Sequence, residues 1–263
     1  MKNGSSHQSK VSVNYEQYYA KIYGNFIRWR NLSSIRKAKS VMNLTKKVNI
    51  KVDSILDIGA GLGNVTEELM KQKYAKRYVL AETSSTAIDY LSNRFKTDNC
   101  TVKKLDKDFW ESKERYTIAI LSHVLEHLER PEELLAKALQ VSDYVCIEVP
   151  LENCLVANFF AELRKIFKGK KRTENPVGHV HFFNKKMALD LVNSVGGKVI
   201  ETEIYFPEYN LHVFGRPKPI KLISTIKYLI FLMLYKLFHE RFVVTHFALI
   251  TTFSTRMREI KCC

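Results

Sequence analysis

Three alternate glycines that directly follow a short apolar strand pattern constrain this sequence more than any other feature. The strand pattern 54–58 runs into Gly59, and Gly61 and Gly63 follow at alternate positions before an amphipathic helical pattern begins at Val65. Glycine has no side chain to keep a ligand away from the backbone. A helix N-terminus also offers unpaired N–H groups. The pattern therefore predicts a strand–turn–helix unit that binds a nucleotide-like cofactor.

Strand and helix patterns alternate through the rest of the chain. The strand at 116–121 is continuously apolar, as is typical of a parallel strand covered on both faces. The strand at 144–149 is expected to end at Pro150. This alternation predicts an α/β fold with a Rossmann-like, doubly wound sheet. The remaining strand patterns lie at 77–81, 101–105, 198–205 and 247–253.

Two late segments interrupt the alternation. We divide the chain into a helical N-terminal segment, 1–50, and one domain, 51–263, with inserts at 151–183 and 211–243. Both inserts follow strands late in the order. Because ligands of open α/β sheets bind beyond the carboxyl ends of the strands, we expect the inserts to recognise the substrate.

The second insert contains an apolar stretch at 220–238. Its longest run without charge, 228–235, has eight residues, whereas a membrane-spanning helix needs roughly twenty apolar residues. The stretch is therefore interpreted as an amphipathic or buried helix, and an amphipathic one could lie on a membrane surface.

The chain has 263 residues and a formal net charge of +15. Such a charge is compatible with nucleic acid, an anionic membrane or a phosphorylated substrate as partner. The run 164–172 holds six basic residues in nine and is expected to border the mouth of an acceptor site for an anionic molecule. Five cysteines without CxxC spacing indicate neither a disulfide framework nor a zinc site, and a polar N-terminus shows no signal peptide.

The glycine spacing distinguishes between cofactors. A dinucleotide site has G-x-G-x-x-G/A, whereas this chain has G-x-G-x-G with Asn64 in the next position. It also lacks the Lys-Ser/Thr pair of a phosphate-binding P-loop. Neither a dinucleotide nor a nucleoside triphosphate is favoured.

The same residues resemble a known family. LDIGAGLGNVT at 56–66 resembles the first motif of class I methyltransferases that use S-adenosyl-L-methionine (SAM). SHVLEHL at 122–128, followed by PEELL at 131–135, is similar to the fourth-strand block of the small-molecule, ubiquinone-biosynthesis-like branch. GHVHFF at 178–183 resembles a segment that many of these relatives carry before the sixth strand.

The resemblance implies SAM as cofactor and a seven-stranded sheet with the last strand antiparallel. It places 211–243 between strands six and seven, which argues further against a spanning helix. Glu82 is implied to bind the ribose hydroxyls, and Asp106 or Asp108 to lie by the adenine; the sequence leaves the choice between these two open. The expected cofactor-binding residues are Asp57, Gly59, Ala60, Gly61, Gly63, Glu82, Asp106, Asp108 and Ser122.

Four histidines lie in the motif segments: His123, His127, His179 and His181. A hydroxyl acceptor needs a general base, and histidine suits this task near neutral pH. We favour His179 as the base and keep His127 as a second candidate, which could instead brace its loop. No metal is expected, because no carboxylate pattern in the sequence completes a ligand set.

The leading hypothesis is O-methylation of a sugar or other small anionic acceptor in surface-glycan or lipid biosynthesis. A quinone-like lipophilic acceptor is the enzymatic alternative, favoured by the apolar second insert. A nucleic-acid-binding protein or RNA methyltransferase is a third, favoured by the charge. Against it, the chain lacks an N/D-P-P-Y-type motif and an appended RNA-binding module. The expected location is the cytoplasm, including the inner face of a membrane.

Overall fold

The computed structural model describes residues 27–169, 171–173, 178–210 and 221–253. A seven-stranded sheet with the order β3-β2-β1-β4-β5-β7-β6 forms its centre. The strands are β1 Ser54–Ile58, β2 Arg77–Glu82, β3 Cys100–Lys104, β4 Tyr116–Ser122, β5 Ser142–Leu151, β6 Gly197–Tyr205 and β7 Thr245–Phe253.

Helices connect the strands and cover both faces of the sheet. They are α1 Ile27–Lys47, α2 Asn64–Lys71, α3 Ser85–Arg94, α4 Lys107–Glu111, α5 Pro131–Val141, α6 Leu155–Lys168, α7 Lys185–Ser194 and α8 Lys221–Phe238. Short 3-10 turns lie at Leu125–His127 and His239–Arg241.

The first five strands are mutually parallel, and β7 runs antiparallel to both β5 and β6. All five residues of β1 are buried, since helices cover it on both faces. Leu56 and Ile58 pack into the core on one face, and Ile55 packs into the core on the other. The doubly wound sheet with an antiparallel last strand confirms the predicted fold.

Strand β5 continues through Pro150, so the prediction that it ends there is wrong. Pro150 pairs with His246 of β7. The last residue of β4, Ser122, pairs with Glu148 of β5. The Glu148 carbonyl faces β4 and accepts a 2.9 Å hydrogen bond from the N–H of His123, the next residue along the chain. Backbone groups alternate between the two sides of a strand, so Pro150 faces the side on which β4 has ended. The N–H that proline lacks is therefore not needed there.

The described part of the N-terminal segment, α1, packs on the sheet domain. Ala38, Val41 and Leu44 are buried in the core that also contains Ile55. Arg36 forms a 2.6 Å ion pair with Glu203 of β6. Residues 1–26 of the predicted segment lie outside the described residues.

Among the described residues, α6 lies in the first predicted insert and α8 in the second. No residue of α8 is buried, so the alternative of a helix buried in the core is wrong. Residues 221–241 are long and apolar enough to cross a membrane by length and composition. Exposed apolar side chains, rather than a covered stripe, distinguish α8 from the core helices.

Candidate active site

The glycine turn joins β1 to α2 in a backbone conformation that side chains rarely adopt. Gly59 has φ +68°, and a Cβ atom there would lie 2.8 Å from Cγ2 of Val124. Gly63 has φ +73°, and its Cβ atom would lie 2.4 Å from the ring of Phe95. Gly59 thus lets the turn approach the segment that follows β4, whereas Gly63 lets α2 begin close to the core.

Glu82 lies at the carboxyl end of β2, next to the glycine turn. Its Oε1 accepts a 2.7 Å hydrogen bond from the N–H of Gly61, and its Oε2 accepts one of 3.0 Å from Thr83. The side chain is buried in the protein yet lines the cavity described below. It both holds the turn and presents a carboxylate to a ligand.

Asp57 lies beneath the turn rather than in the cavity. The hydroxyl of Thr66 donates a 2.7 Å hydrogen bond to Oδ2 of Asp57. Burial raises the pKa of Asp57 to about 6, although the bond from Thr66 opposes this rise. This position favours support of the glycine turn by Asp57 over contact of Asp57 with the cofactor.

A cavity of about 650 Å³ opens between α1 and the carboxyl ends of β1, β2 and β4. Its position beyond the strand ends is the usual ligand site of an open α/β sheet. The expected site residues that line it are Gly59, Ala60, Gly61, Glu82, Ser122, His127 and His179.

Four expected cofactor residues are not brought to the cavity wall: Asp57, Gly63, Asp106 and Asp108. Asp106 instead caps α4, since its side chain accepts a hydrogen bond from the N–H of Phe109. Leu105 and Trp110, on either side of this cap, do line the cavity. An apolar wall therefore occupies the place where the resemblance implied an acid.

A buried polar network links the residue after β4 with β5, β6 and β7 beside the cavity. His123, which has φ +58°, lies with its Nε2 3.1 Å from Oε1 of Glu148 and 3.1 Å from Nδ1 of His246. The hydroxyl of Tyr205 donates a 2.9 Å hydrogen bond to the same Glu148 oxygen. Burial lowers the pKa of His246 to about 3, so this imidazole is neutral at physiological pH.

His127 and His179 form a second group, with ring centroids 4.8 Å apart. Nδ1 of His179 lies 2.7 Å from Oε2 of Glu152, and Nδ1 of His127 lies 3.3 Å from the carbonyl oxygen of Gly178. His181 does not line the cavity, and its Nε2 lies 3.4 Å from the Glu129 carbonyl. Of the two alternate histidines, the structure places only His179 among the cavity residues.

Glu126 is fully buried beside these histidines. Burial alone would raise the pKa of its carboxyl group, but His123, His127 and His179 lower it to about 2. Burial lowers the pKa of His127, which favours its neutral form. The group therefore combines a carboxylate anion with at least one neutral imidazole.

The basic run 164–172 does not contribute a described residue to the cavity wall. Arg172 donates hydrogen bonds to Asn158 Oδ1 and to the Glu152 carbonyl, and its guanidinium lies over the ring of Phe182. This arginine braces the first insert. Lys170 and the side chain of Lys168 lie outside the described residues.

Sequence reasoning did not identify Lys37, Glu148 or Glu152 as site residues. Glu148 had a detectable signal, because it is a lone carboxylate inside the apolar run YVCIEV. Lys37 lines the cavity from α1, and burial lowers the pKa of its amine although Glu148 and Glu126 oppose this effect. Lys37 and Glu152 lack a comparable sequence signal, since only the folded chain brings them to the histidines.

Fold, glycine turn and strand-end carboxylate together define a Rossmann-like, SAM-dependent methyltransferase. The sequence model of the family described as a methyltransferase domain matches residues 28–202, and the chain belongs to this family. No curated protein sequence matches the chain.

Solved structures share the fold at low sequence identity. A SAM-dependent methyltransferase from Archaeoglobus fulgidus is 19% identical, with TM-score 0.56, over 90% of this chain and 99% of that one. Magnesium protoporphyrin IX methyltransferase from Synechocystis PCC 6803, with bound S-adenosyl-L-homocysteine (SAH), is 14% identical, with TM-score 0.57, over 91% and 98%. An N-methyltransferase from Bradyrhizobium japonicum WM9, in complex with SAH, is 12% identical, with TM-score 0.51, over 83% and 86%.

The cavity residues fit SAM as the cofactor. A Cβ atom at Gly59 would clash with Val124, so this position requires glycine. The turn therefore presents backbone without a side chain to the cavity. Glu82 supplies a carboxylate that can accept hydrogen bonds from a pair of ribose hydroxyls. SAM carries no phosphate, so its binding does not require a phosphate-binding lysine.

Proposed function

We propose that this protein methylates an oxygen atom of a small anionic acceptor, such as a sugar derivative of surface-glycan or lipid biosynthesis. The observation that carries the proposal is the pair of His179 and Glu152, whose Nδ1 and Oε2 lie 2.7 Å apart. Oxygen acceptors lose a proton on methylation, and a carboxylate-supported histidine is suited to accept it.

The residues divide the work between holding the cofactor and activating the acceptor. SAM supplies an electrophilic methyl group on a positively charged sulfur. Gly59, Gly61 and Glu82 hold the cofactor side of the cavity, while Glu152 orients His179 so that its Nε2 receives the hydroxyl proton. Holding the two reactants in the right orientation in one cavity can lower the activation free energy by about 7–11 kcal/mol.

Cationic side chains around the cavity favour an anionic acceptor. Arg30, Lys37, Arg130 and Lys137 line it, together with the acids Glu82, Glu129 and Glu133. Arg130 forms a 2.7 Å ion pair with Glu133. Lys137 lies 5.5 Å from the Trp110 ring, at the apolar part of the wall. A carboxylate or phosphate on the acceptor would complement the lysines.

An acceptor screen tests this function. Purified protein and SAM are incubated with sugar phosphates, nucleotide-sugars, neutral sugars and phenolic quinone precursors, and each product is examined for the mass of one added methyl group. Methylation of an anionic hydroxyl compound supports the proposal. Methylation confined to the neutral sugars or to the quinone precursors would overturn it.

A quinone-like, lipophilic acceptor at a membrane surface is the second candidate, and the surface of α8 favours it. Leu222 is 70% exposed and Leu237 is 62% exposed, at opposite ends of the helix. Phe159 and Phe160 of α6 are also exposed. The start of α6 contacts the segment that follows α8, where the N–H of Val156 donates a 3.1 Å hydrogen bond to the Phe242 carbonyl.

The topology restricts how α8 could meet a membrane. A spanning α8 would place its two ends about 27 Å apart across the bilayer, although β6 and β7 on either side of it are paired in one sheet. An orientation in the membrane plane keeps both ends of α8 on the same side of the bilayer as the sheet. Lys221, Lys227 and Lys236 on the helix complement anionic lipid headgroups, each contributing about 1 kcal/mol near the surface.

Vesicle sedimentation tests membrane binding. The wild type is expected to co-sediment with vesicles that contain phosphatidylglycerol and less with neutral vesicles. Leu229→Glu together with Met233→Glu should abolish binding, whereas Ile35→Glu, at an equally exposed position of α1, should not. Equal sedimentation of all three proteins would exclude α8 as the membrane-binding surface.

A further inference from the structure

We propose that the acceptor is an anionic, lipid-linked molecule, taken from a membrane on which helices α6 and α8 dock together. Its headgroup enters the cavity while its hydrocarbon tail stays in the bilayer. This inference rests on the proposed function, since it names the kind of molecule that carries the anionic hydroxyl group. The acceptor differs from the quinone-like candidate in the charge of its headgroup.

Helix α6 presents an apolar face to solvent along its length. Five of its apolar side chains are exposed by 59–78%: Leu155, Phe159, Phe160, Ile166 and Phe167. Spacings of four and seven residues place Leu155, Phe159 and Ile166 on one face, and Phe160 and Phe167 lie beside them. No described residue of α6 is buried. These are the properties of a helix at a membrane surface rather than of a core helix.

Polar contacts outside the apolar face hold α6 next to the cavity. Nδ2 of Asn158 donates a 3.0 Å hydrogen bond to Oδ1 of Asn153. The guanidinium of Arg172 donates to Oδ1 of Asn158 and to the carbonyl oxygen of Glu152. The Glu152 carboxylate in turn contacts His179. A short chain of hydrogen bonds therefore joins this membrane-type helix to the candidate base.

Helix α8 presents a second apolar face of the same kind. Its exposed apolar side chains recur at three or four residues on one side of the helix: Leu222, Ile226, Leu229, Met233 and Leu237. The other side contacts Phe206, the residue after β6. The ring centroids of Tyr228 and Tyr235 lie 5.7 and 5.5 Å from that of Phe206. These contacts fix which side of α8 points outward.

The sheet places both helices at the edge where the cavity opens. Strand β5 is parallel to β4, so it ends at the same edge as the strands that border the cavity. Helix α6 is the next helix after β5. Strand β6 ends and β7 begins at this edge, since Tyr205 pairs with His246 and Leu151 pairs with Thr245. The segment 206–244, which contains α8, thus leaves and rejoins the sheet beside the cavity.

Phe242 connects the two helices. Its ring stacks on Phe238, the last residue of α8, with the ring centroids 4.8 Å apart. Its carbonyl oxygen accepts a 3.1 Å hydrogen bond from the N–H of Val156, near the start of α6. The end of α8 is therefore linked to the start of α6, so that one membrane surface can contact both apolar faces.

The charges of the two helices favour an anionic membrane as the partner. Helix α8 contains three lysines and no acidic residue, and α6 contains Arg164, Lys165 and Lys168 but only one acid, Glu162. Lysine and arginine cover apolar surface with their stems and place their charges at the level of lipid headgroups. A second copy of the chain on this surface would bring like charges together, which opposes a dimer.

The cavity and its surroundings together match an amphiphilic acceptor. Lys37 and Lys137 line the cavity and complement an anionic headgroup, whereas the apolar faces at its edge complement lipid. In the reaction, the headgroup hydroxyl gives its proton to His179, and its oxygen forms a bond to the methyl carbon. The electron pair of the broken C–S bond stays on the sulfur of the cofactor.

Methyl transfer from radiolabelled SAM tests the class of acceptor. Full-length protein is incubated with vesicles made from the total lipids of the cells that produce it, and separately with the water-soluble small molecules of those cells. Label is expected in a lipid that binds to an anion-exchange column. Label confined to the water-soluble molecules would overturn the lipid-linked acceptor, and label confined to neutral lipid would overturn its charge. No label in either fraction, from protein that binds SAM, would count against the proposed function instead.

Co-sedimentation with phosphatidylglycerol vesicles tests the docking surface. Phe159→Glu together with Ile166→Glu, on the exposed face of α6, should weaken vesicle binding and lipid labelling at least tenfold. SAM affinity should stay that of the wild type, since neither residue lines the cavity. Ile35→Glu, at an exposed position of α1, is the matched control and should change neither. Equal vesicle binding by the wild type and the double variant would overturn docking through α6, and so would lipid labelling that survives the loss of vesicle binding.

Discussion

The backbone N–H of Gly61 donates a 2.7 Å hydrogen bond to Oε1 of Glu82. This bond joins the glycine turn after β1 to the end of β2, so one carboxylate both shapes the turn and faces the cavity. The arrangement explains why a buried acid is tolerated at a strand end: its oxygens accept backbone N–H groups from Gly61 and Thr83.

Glu82→Gln should weaken SAM binding about 10- to 100-fold. Hydrogen bonds to a charged group contribute about 1.5–3 kcal/mol, and the amide retains only one acceptor oxygen. Calorimetric titration with SAM measures the change. Glu68→Gln, on α2 and outside the cavity, is the matched control and should leave the affinity unchanged. A Glu82→Gln affinity equal to that of the wild type would remove Glu82 from the site.

Gly63→Ala should destabilise the protein more than Gly169→Ala. Both glycines have positive φ, +73° and +61°, so each alanine costs about 1–2 kcal/mol in backbone energy. At Gly63 the new methyl group also meets Phe95, and overpacking costs about 1–3 kcal/mol more. At Gly169 nothing lies within 4 Å of the added atom.

Urea denaturation of the two alanine variants measures the difference in unfolding free energy. Equal losses would show that the core around Phe95 does not restrict the start of α2. SAM affinity measured on folded Gly63→Ala then separates packing from ligand binding.

Asp57 should make stability depend on pH in the opposite sense to a typical carboxylate. Burial raises its pKa to about 6, above the ordinary value of 3.8, so the native state keeps a proton that the unfolded state has released. Its contribution is therefore largest below pH 4 and is lost as the pH rises towards 6. The loss amounts to about 3 kcal/mol, at 1.36 kcal/mol for each pKa unit.

The comparison of wild type and Asp57→Asn isolates this effect, because the amide can still accept the hydrogen bond from Thr66. As the pH rises from 4 to 6, the unfolding free energy of the wild type should fall relative to that of Asp57→Asn. A difference that stays constant over this range would contradict the raised pKa of Asp57.

The sheet could be predicted from the sequence because its strands carry local signals. Buried parallel strands are continuously apolar, and the glycine turn marks where the first one ends. Pro150 misled the prediction of β5, since its effect depends on the end of the neighbouring strand β4. The sequence could not show whether α8 is buried or exposed, because an apolar helix has the same sequence pattern whether protein or lipid covers it.

The residues of the cavity could be predicted only where local sequence signals place them. Gly59, Gly61 and Glu82 lie in one contiguous unit whose geometry follows from glycine spacing and strand ends. The neighbourhood of His179 depends on tertiary contacts: Glu152 follows β5, and Glu126 lies in the turn after β4. Sequence reasoning found the histidines but not the carboxylates that orient or complete their group.

Calorimetric titration with SAM of the wild type, Gly61→Arg and Gly169→Arg tests the central claim most directly, with circular dichroism to confirm that each protein is folded. Gly61 lines the cavity, whereas Gly169 has open space around it and a similar φ. The account predicts one SAM bound by the wild type and by Gly169→Arg, and none by Gly61→Arg. Unchanged SAM binding by folded Gly61→Arg would contradict it.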